Sequence, residues 1–402
     1  MAFDRRSFLK MASLGAVLGA SAGAEQERHG DDPLGVRQQF PICRDEVFLN
    51  SAYIAPSPIE VEEAAKAFIG SKSRHPLSLD EMLAKTDVAR EKFARLVGVD
   101  KEEIGFIFST SEGENIIAQS LRLRPGDNIV IDELAYTTTF LLYRHLEETV
   151  GIELRIAKQN EGTVSTEAIE RLVDKRTRLV SVSWVSHKNG FCHDMKALAE
   201  LAHSNSAYLY ADAIQAIGAF PVNPHQENID FFASGTYKWL LAGFGVAPFY
   251  IRQNLLESFP PDRWGAFQVE KRLPGYRFEV YRTAKKYEYS TLAFEAVYQL
   301  EAALDFLHRV GVERIGAHTI ALTGKLHKGL SERGFEVSTP PGNRSSIVSF
   351  FFKKDPATVE QILKREKISV TLRKESSEIR VSVSLFNNDQ EIQRFLETAV
   401  RF

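Results

Sequence analysis

Apolar positions follow two different periods along the chain between about residue 59 and residue 259. Two stretches place apolar residues three or four positions apart and predict amphipathic helices with Gly70 and Gly98 as C-terminal caps, IEVEEAAKAFIG and SLDEMLAKTDVAREKFARLVG. Seven short apolar runs, separated by helical patterns, each predict a strand: IGFIFS, NIVI, IELRIA, TRLVSVSWV, AYLYAD, IDFFAS and GVAPFYI. Strands this apolar predict an α/β fold whose sheet is mostly parallel and covered on both faces.

The order of the elements changes after Phe259. One long helical pattern, LAFEAVYQLEAALDFLHRVGVERIGAHTIALTGKLHKGLSERG, is followed by the strand patterns IVSFFF and IRVSVSLF and by a last helix. This order predicts a smaller α+β domain after the sheet domain. We therefore expect a large domain over residues 59–290, a small C-terminal domain over 291–402, and an N-terminal arm over 25–58 that contributes to the small domain and to the functional site.

The first 24 residues differ from everything that follows. Arg5 and Arg6 precede the short Gly/Ala-rich apolar segment MASLGAVLGASAGA, whose end, AGA, has the small-x-small pattern of a cleavage site. This order resembles a twin-arginine export signal, so we expect residues 1–24 to be a signal peptide that engages the twin-arginine export machinery and leads to the periplasm. The alternative is a cytoplasmic protein with a frayed or amphipathic N-terminus.

Composition narrows the classes of partner. The 402 residues are 44% hydrophobic and 26% charged, and the formal net charge is −3, which is typical of a soluble globular protein. Basic residues form no long run, so we expect neither a nucleic-acid surface nor a stable membrane association. The two cysteines, Cys43 and Cys192, are too few for a zinc cluster or a disulfide framework, so no metal site is predicted. Whether these two form a single bridge stays open.

Lys238 lies inside the apolar, glycine-punctuated run DFFASGTYKWLLAGFGVAPFYI. A lysine ammonium is costly to remove from water, so such a lysine either extends its head to the surface or is held inside for chemistry. A buried lysine has a lowered pKa and forms a Schiff base with an aldehyde. The polar residues on the neighbouring predicted elements decide between these two interpretations.

Three further features of the pattern suggest chemistry. FSTSEGENIIAQSL puts the hydroxyls of Thr110 and Ser111 before a helix expected to begin near Glu112, which suits a phosphate and equally suits a plain N-cap. Asp212 ends the strand AYLY, where it suits either a cationic partner such as a protonated pyridine nitrogen or a helix N-cap. Arg380 lies in an alternating strand, where its planar guanidinium suits a carboxylate or simply the surface.

Taken together, a phosphate site, a pyridine partner, a reactive lysine and a carboxylate clamp are the parts of a pyridoxal-phosphate site. The motifs TSEGEN, DAIQAIGAFPV, GTYKWLLAGFG and RVSVSLFNNDQEI, in this order, resemble those of the class V aminotransferase family, and the resemblance runs from FLNSAYIAPSP to the end of the chain. It implies pyridoxal 5'-phosphate as the cofactor and fold type I, with a seven-stranded sheet domain and a smaller α+β domain. It also implies a homodimer that acts on a small amino-acid substrate.

The resemblance further implies a role for each matching residue. Lys238 would hold the cofactor and move the α-proton, and Asp212 would keep the pyridine nitrogen protonated. Arg380 would bind the substrate carboxylate, and Asn50 would contact the substrate. The other matches are cofactor contacts: Thr110 and Ser111, with Ser234 or Thr236, at the phosphate; Tyr136 stacked on the ring; Gln215 and Ser186 near the phenolic oxygen; and Thr291 at the phosphate of the partner subunit. Without the resemblance, Tyr136 is interpreted as a core tyrosine that begins a helix.

Departures from the family's pattern narrow the reaction. The stretch KISVTLRKESSEIRVS, which contains Arg380, has no cysteine, so persulfide chemistry of the cysteine desulfurase type is disfavoured. An aminotransferase-like reaction on a small amino acid is the first choice. Epimerisation and β-elimination are the alternatives, because all three reactions begin with removal of the α-proton. His187 is either an extra acid or base or a packed residue at a strand end, and we prefer packing.

The sequence leaves two interpretations that assign the protein to other classes of function. A protein of fold type I without catalysis stays open, because a fold does not fix a function. A dinucleotide-binding oxidoreductase is disfavoured, because no predicted strand is followed by a G-x-G-x-x-G turn. The glycine-rich loop AGFGVA is followed by a strand instead of the helix that such a site requires.

Overall fold

The computed structural model describes residues 32–402, so the predicted signal peptide and the first residues of the arm lie outside the described part. The helices are α1 (Ile59–Arg74), α2 (Leu79–Val97), α3 (Thr110–Ser120), α4 (Thr137–Val150), α5 (Thr166–Glu170), α6 (Met195–Ser204), α7 (Phe294–Val310), α8 (Val312–Glu332), α9 (Pro356–Arg365) and α10 (Asp389–Ala399). The strands are β1 (Val47–Phe48), β2 (Ile104–Ile107), β3 (Asn128–Asp132), β4 (Glu153–Ala157), β5 (Thr177–Ser183), β6 (Tyr208–Asp212), β7 (Phe231–Ala233), β8 (Ala247–Ile251), β9 (Val269–Leu273), β10 (Arg277–Val280), β11 (Ile347–Phe351), β12 (Ile368–Ser369), β13 (Thr371–Arg373) and β14 (Glu378–Ser382). None of these helices is long and apolar enough to cross a membrane.

Seven strands form the central sheet, in the order β2-β8-β7-β6-β5-β3-β4. β8 runs antiparallel to both of its neighbours, and the other pairs are parallel. These strands are the seven that the apolar runs predict, so the α/β fold with a mostly parallel seven-stranded sheet is confirmed. Because strands of one direction end at the same edge, the segments that follow β2, β5, β6 and β7 meet there.

The C-terminal part is built on a second, antiparallel sheet in the order β11-β14-β13. Apolar side chains of α8, α9 and α10 pack with this sheet in one buried cluster. The N-terminal arm is attached to the same part, because β1 pairs in parallel with β12. The arm then passes the central sheet, where the Ala55 N–H donates to the carbonyl oxygen of Tyr237 at 3.1 Å.

Element boundaries show where glycine was interpreted correctly and where it was not. Gly98 caps α2 in the left-handed conformation, with φ 71°, as predicted. The prediction for Gly70 is wrong, because α1 continues through it to Arg74. The long helical pattern after residue 291 is two helices, which Gly311 separates with φ 89°. The first of them, α7, packs on α1 and α2 of the sheet domain, and the predicted boundary between residues 290 and 291 stays a prediction.

One element had no sequence signal at all. β9 and β10 pair as an antiparallel hairpin, and Tyr276 in its turn is 96% exposed. Most side chains of both strands are exposed on both faces, so neither the strand period nor an apolar run marks them.

Candidate active site

A cavity of about 140 Å³ lies at the edge of the central sheet where β2, β5, β6 and β7 end. Its walls come from the starts of α3 and α4, from the residues after β5 and β6, and from the loop after β7. Six of the predicted site residues line it: Thr110, Ser111, Tyr136, Asp212, Gln215 and Lys238. The fold therefore brings together residues that are spread over four separate motifs of the sequence.

The start of α3 supplies hydroxyl groups to the cavity. The helix begins at Thr110, slightly earlier than predicted, because the Ser109 side chain caps it. Thr110 Oγ1 accepts a hydrogen bond from the Gly235 N–H at 2.8 Å, and Ser111 Oγ lies 3.1 Å from Thr138 Oγ1. A helix N-terminus surrounded by hydroxyl groups is suited to an anion such as a phosphate group.

Asp212 and Lys238 come from neighbouring strands and face the same cavity. Asp212 is the last residue of β6, and Lys238 follows the adjacent β7. Burial lowers the pKa of Lys238 to about 8, although the Asp212 carboxylate acts in the opposite direction. Burial also raises the pKa of Asp212, against the Ile214 N–H that donates to its Oδ1 at 3.1 Å and against Lys238. The cavity thus holds a lysine that loses its proton at mildly alkaline pH.

Gln215 lines the cavity, but protein groups already hold its amide. Its Nε2 donates to the Ala52 carbonyl oxygen at 3.0 Å, and its Oε1 accepts from Trp239 Nε1 at 2.8 Å. These bonds fix the residue after Lys238 to the N-terminal arm. The contact of Gln215 with a cofactor oxygen stays a prediction.

Tyr136 and His187 form one wall. Their ring centroids are 5.0 Å apart with an angle of 82° between the planes. Tyr136 precedes α4 and is 47% exposed, so it is not a core tyrosine. His187 also borders the cavity, where it packs against Tyr136, and its role as an acid or base or as a packed residue stays a prediction. Burial and the nearby Arg373 and Arg380 lower the pKa of His187 to about 3, and its Nδ1 has no hydrogen-bond partner within residues 32–402.

Arg380 is buried in β14 beside this wall, and protein acceptors hold two of its three nitrogens. One terminal nitrogen donates to the His187 carbonyl oxygen at 2.7 Å and the other to Thr371 Oγ1 at 3.0 Å. The Thr371 hydroxyl in turn donates to Asn50 Oδ1 at 2.6 Å. Burial and Arg373 lower the pKa of Arg380 to about 10, so it keeps its charge at neutral pH. Thr371, which the sequence did not single out, therefore connects the two predicted substrate residues.

Four predicted cofactor residues are not in the cavity wall: Ser186, Ser234, Thr236 and Thr291. Val185 and His187 face the cavity, and the Ser186 side chain points away because side chains alternate along an extended segment. The Ser186 hydroxyl donates to the Leu134 carbonyl oxygen at 3.3 Å. The Ser186 side chain therefore lies outside the cavity wall, contrary to the predicted contact near the phenolic oxygen.

The other three have different surroundings. Thr236 Oγ1 lies 2.6 Å from the Gly243 carbonyl oxygen and 2.9 Å from that of Val246, so it closes the glycine-rich loop. Ser234 is fully buried, and its hydroxyl has no hydrogen-bond partner in the described part of the chain. Thr291 is exposed on the surface, and its contact with a partner subunit stays a prediction.

The cavity also contains residues that were not predicted, and Glu114 is the most informative of them. It lies in the TSEGEN motif, of which only Thr110 and Ser111 were given a role. Glu114 shares the buried face of α3 with Ile117, three positions later. The sequence signal for Glu114 is an acidic residue at a position of the helix pattern that is otherwise apolar.

The chain is similar to known proteins over nearly its whole described length. The family model described as Aminotransferase class-V matches residues 47–395. A probable cysteine desulfurase of Methanothermobacter thermautotrophicus is 31% identical over 387 residues, which cover 90% of this chain and 96% of that protein. An uncharacterized aminotransferase of Bacillus subtilis is 25% identical and covers 91% of this chain and 96% of its own. The apo structure of a cysteine desulfurase from Thermococcus onnurineus NA1 has a TM-score of 0.83 at 24% identity, over 92% of this chain and 98% of that one.

Proposed function

The chain belongs to the class V aminotransferase family, and we propose that within this family it is a lyase that eliminates the β-substituent of a small α-amino acid. Membership of this family confirms the resemblance seen in the sequence and, with it, pyridoxal phosphate as the cofactor. The family assignment supports a pyridoxal-phosphate enzyme that acts on an amino acid. The choice of elimination over amino transfer is our proposal.

The residues of the cavity fit this cofactor. A Cβ atom on Gly235 would lie 2.9 Å from Ile214 Cδ1 and 3.3 Å from Thr110 Oγ1, so glycine lets the backbone approach the helix start without displacing these side chains. Thr110, Ser111 and the first turn of α3 would hold the phosphate group. Asp212 would face the ring nitrogen, and Lys238 would hold the aldehyde carbon. His187, whose Nδ1 has no hydrogen-bond partner within residues 32–402, borders the same cavity.

Pyridoxal phosphate supplies an electron sink that makes the Cα–H bond of an attached amino acid acidic. The joint placement of Lys238 and Asp212 in one buried cavity is the observation that carries the pyridoxal-phosphate chemistry of the proposal. Lys238 Nζ, with its pKa lowered to about 8 by burial, would take the proton from Cα and deliver it to the leaving group. The electron pair of the broken Cα–H bond would form the second bond between Cα and Cβ, and the electron pair of the bond from Cβ to the leaving group would depart with that group. Hydrolysis of the released enamine by one water then gives a 2-keto acid and ammonia.

Arg380 would orient the substrate through its carboxylate, because a buried guanidinium provides paired donors for two oxygens. The bonds to the His187 carbonyl oxygen and to Thr371 hold the guanidinium in place before a substrate arrives. His187 stays neutral at physiological pH, so it would donate or accept one hydrogen bond without adding a charge.

The thiols of the chain argue against a persulfide on the protein. Cys43 and Cys192 are both free, and neither lines the cavity. Burial raises the pKa of Cys43 to about 11 and that of Cys192 to about 12, so neither is a thiolate at neutral pH. The names of the relatives point to cleavage of a C–S bond, and the absence of a cysteine from KISVTLRKESSEIRVS points to release of the leaving group into solvent. A β-elimination lyase would cleave the C–S bond without a cysteine of the protein, which agrees with both observations.

Product analysis tests this proposal. The purified protein with pyridoxal phosphate is incubated with L-cysteine, S-methyl-L-cysteine, O-acetyl-L-serine or L-alanine, with and without 2-oxoglutarate. We expect pyruvate and ammonia in equal amounts from the first three substrates without 2-oxoglutarate, and none from L-alanine, which lacks a leaving group. A variant with both Cys43→Ser and Cys192→Ser should keep this activity. Amino transfer from L-alanine to 2-oxoglutarate without ammonia, or racemised alanine, would overturn the lyase in favour of the aminotransferase-like or epimerase alternative.

Export is proposed separately from the reaction. The twin-arginine signal at residues 1–24 lies outside the described part of the chain, and we propose it on its sequence alone. Fractionation of a host that expresses the full chain, compared with a variant carrying Arg5→Lys and Arg6→Lys, tests it: retention of both proteins in the cytoplasm would contradict it.

A further inference from the structure

Glu114 is a buried carboxyl group in the wall of the cavity that contains Asp212 and Lys238. It lies in the second turn of α3, only 4% exposed, and points toward the central sheet. The reaction proposed above has no use for a second carboxyl group at this place. A buried, ionisable group that is not needed for packing requires an explanation.

The surroundings of Glu114 contain hydroxyl groups and no ion-pair partner. Ser181 Oγ of β5 donates to its Oε1 at 2.6 Å, and Thr139 Oγ1 of α4 donates to its Oε2 at 2.9 Å. Within residues 32–402 the structure records no ion pair with Glu114. Hydroxyl groups both donate and accept, so these two can serve Glu114 with or without a proton.

The titratable groups that face Glu114 are acidic. Asp212 and Tyr210 come from β6, and Tyr143 comes from α4. The pKa values of Tyr143 and Tyr210 are raised well above 10, first by burial and then by the Glu114 carboxylate, so both phenols are neutral. Glu114 and Asp212 are two buried carboxyl groups in the wall of one cavity, and the charge of Asp212 acts on Glu114, so ionisation of both groups together is disfavoured.

The two carboxyl groups are not equivalent, and the contacts decide which one keeps the proton. Asp212 has the Ile214 N–H and the positive charge of Lys238 in its favour as an anion. Glu114 has only hydroxyl donors. Burial raises the pKa of Glu114 to about 7, and the charge of Asp212 acts in the same direction.

We propose that Glu114 is a positioning residue that holds the proton of the Glu114–Asp212 pair. While it is neutral, Asp212 is the one charged carboxylate that faces the ring nitrogen of the cofactor. When it ionises, the added negative charge raises the proton affinity of the groups that surround Asp212. The effect of Glu114 on the cofactor rests on the proposed function. The retention of a proton by Glu114 does not, because it is a property of the protein without cofactor.

The first test uses the protein without cofactor. The free energy of unfolding is measured by urea denaturation between pH 5 and pH 9 for the wild type and for Glu114→Gln, an uncharged variant of nearly the same shape. A Glu whose pKa is raised on folding contributes stability that is present below its unfolded value and lost as pH rises through its folded value. We expect the wild type to lose stability relative to Glu114→Gln as pH rises from 5 to about 7, and the difference to stay constant at higher pH. Parallel curves would overturn the proposal.

The second test uses the visible absorbance of bound pyridoxal phosphate as a function of pH. We expect the midpoint of its transition to lie at lower pH in Glu114→Gln than in the wild type, by about half a unit or more, because a negative charge has been removed nearby. Glu148→Gln is the matched control, because Glu148 is exposed on α4 and lies outside the cavity wall. Its midpoint should equal that of the wild type, and an equal midpoint in Glu114→Gln would overturn the proposal.

Failure of the proposed function has a different signature. A wild type that shows no absorbance band with pyridoxal phosphate would contradict the cofactor assignment, whereas the urea measurement would still decide the proton on Glu114. If Glu114→Gln does not fold, Thr139→Val replaces it. This variant removes the donor to Oε2 and so raises the folded pKa of Glu114 further, and we expect the loss of stability to continue to higher pH before it levels off than in the wild type. A loss that levels off at the same pH in both proteins would contradict the account.

Discussion

At the scale of single residues, burial alone does not make a lysine reactive. Lys286 is as instructive as Lys238, because burial lowers its pKa to about 8 as well. Lys286 Nζ, however, donates to the Leu256 carbonyl oxygen and does not line the cavity. What distinguishes Lys238 is open space in front of its amine and Asp212 in the same wall. Chemistry at this site thus depends on the pair and on the cavity more than on the pKa of either group.

Arg380 is expected to act mainly in substrate binding. Arg380→Lys keeps the charge but loses the planar fork and the bonds to His187 and Thr371. We expect the KM for the amino acid to rise about 10- to 100-fold with a smaller change in kcat, because the contact is made before and during the reaction. Arg373→Lys, which alters the neighbouring guanidinium, is the control and should raise KM less. Steady-state kinetics of both variants decide, and equal effects would contradict the assignment.

His187 is expected to contribute without titrating. Its pKa is lowered to about 3, so the imidazole carries no charge change between pH 5 and pH 9. We expect His187→Asn to reduce kcat/KM by about 10-fold or more, as the loss of one hydrogen bond in a buried site would do, and to leave the acid limb of the pH profile in place. An acid limb that moves in the variant would show that His187 titrates in this range.

At the scale of elements, the glycine-rich loop after β7 carries Lys238 and is closed by Thr236. Both carbonyl groups that face Thr236 Oγ1, those of Gly243 and Val246, belong to this loop. We expect Thr236→Val to lower the free energy of unfolding by about 2 kcal/mol, because the hydroxyl is removed and buried carbonyl oxygens lose their donor. Thr236→Ser should keep most of the stability. Urea denaturation measures both, and equal stability of Thr236→Val and the wild type would contradict this role.

The sequence predicts the elements of this fold better than it predicts the direction of their side chains. The seven strands of the central sheet are buried on most of their positions, so their apolar runs are unmistakable, whereas the exposed β9–β10 hairpin has no such run. Ser186 and His187 differ only in which way an extended segment turns its side chains. Thr236 and Lys238 stand two positions apart in one motif, yet closure of the loop gives the first to its own backbone and the second to the cavity.

Glu114 and Thr371 show a further reason why the sequence does not reveal every residue of the site. Their importance depends on what lies opposite them across the fold, Asp212 for Glu114 and Arg380 for Thr371. No spacing along the chain contains that information. Asp212 was predicted correctly as a cavity residue because it ends a buried strand, where the topology of the sheet fixes its position.

At the scale of the whole molecule, apolar side chains remain exposed around the loop that carries Lys238. Phe244 is 61% exposed and stacks on Tyr237 with 4.5 Å between the ring centroids, and Tyr53 is 62% exposed. Ile54 and Phe244 also line a surface cavity of about 450 Å³. Exposed apolar surface of this kind is typical of a contact between proteins, which agrees with the homodimer that we expect.

The dimer gives a prediction at this scale. We expect Phe244→Asp to weaken self-association by at least about 10-fold, because a buried aromatic residue at an interface commonly contributes more than about 1 kcal/mol. Val400→Asp, on the exposed C-terminal end, is the control and should leave association unchanged. Sedimentation equilibrium over a range of concentrations measures both. An unaffected dimer in Phe244→Asp would place the interface elsewhere.

The central claim is that Lys238 holds pyridoxal phosphate opposite Asp212, and one measurement tests it most directly. The protein without cofactor is titrated with pyridoxal phosphate while visible absorbance is recorded, for the wild type, Lys238→Ala and Lys286→Met, and borohydride reduction then fixes the label for peptide analysis. The account predicts a band in the wild type and in Lys286→Met, none in Lys238→Ala, and a label on the peptide that contains Lys238. A band that persists in Lys238→Ala, or a label on Lys286, would contradict it.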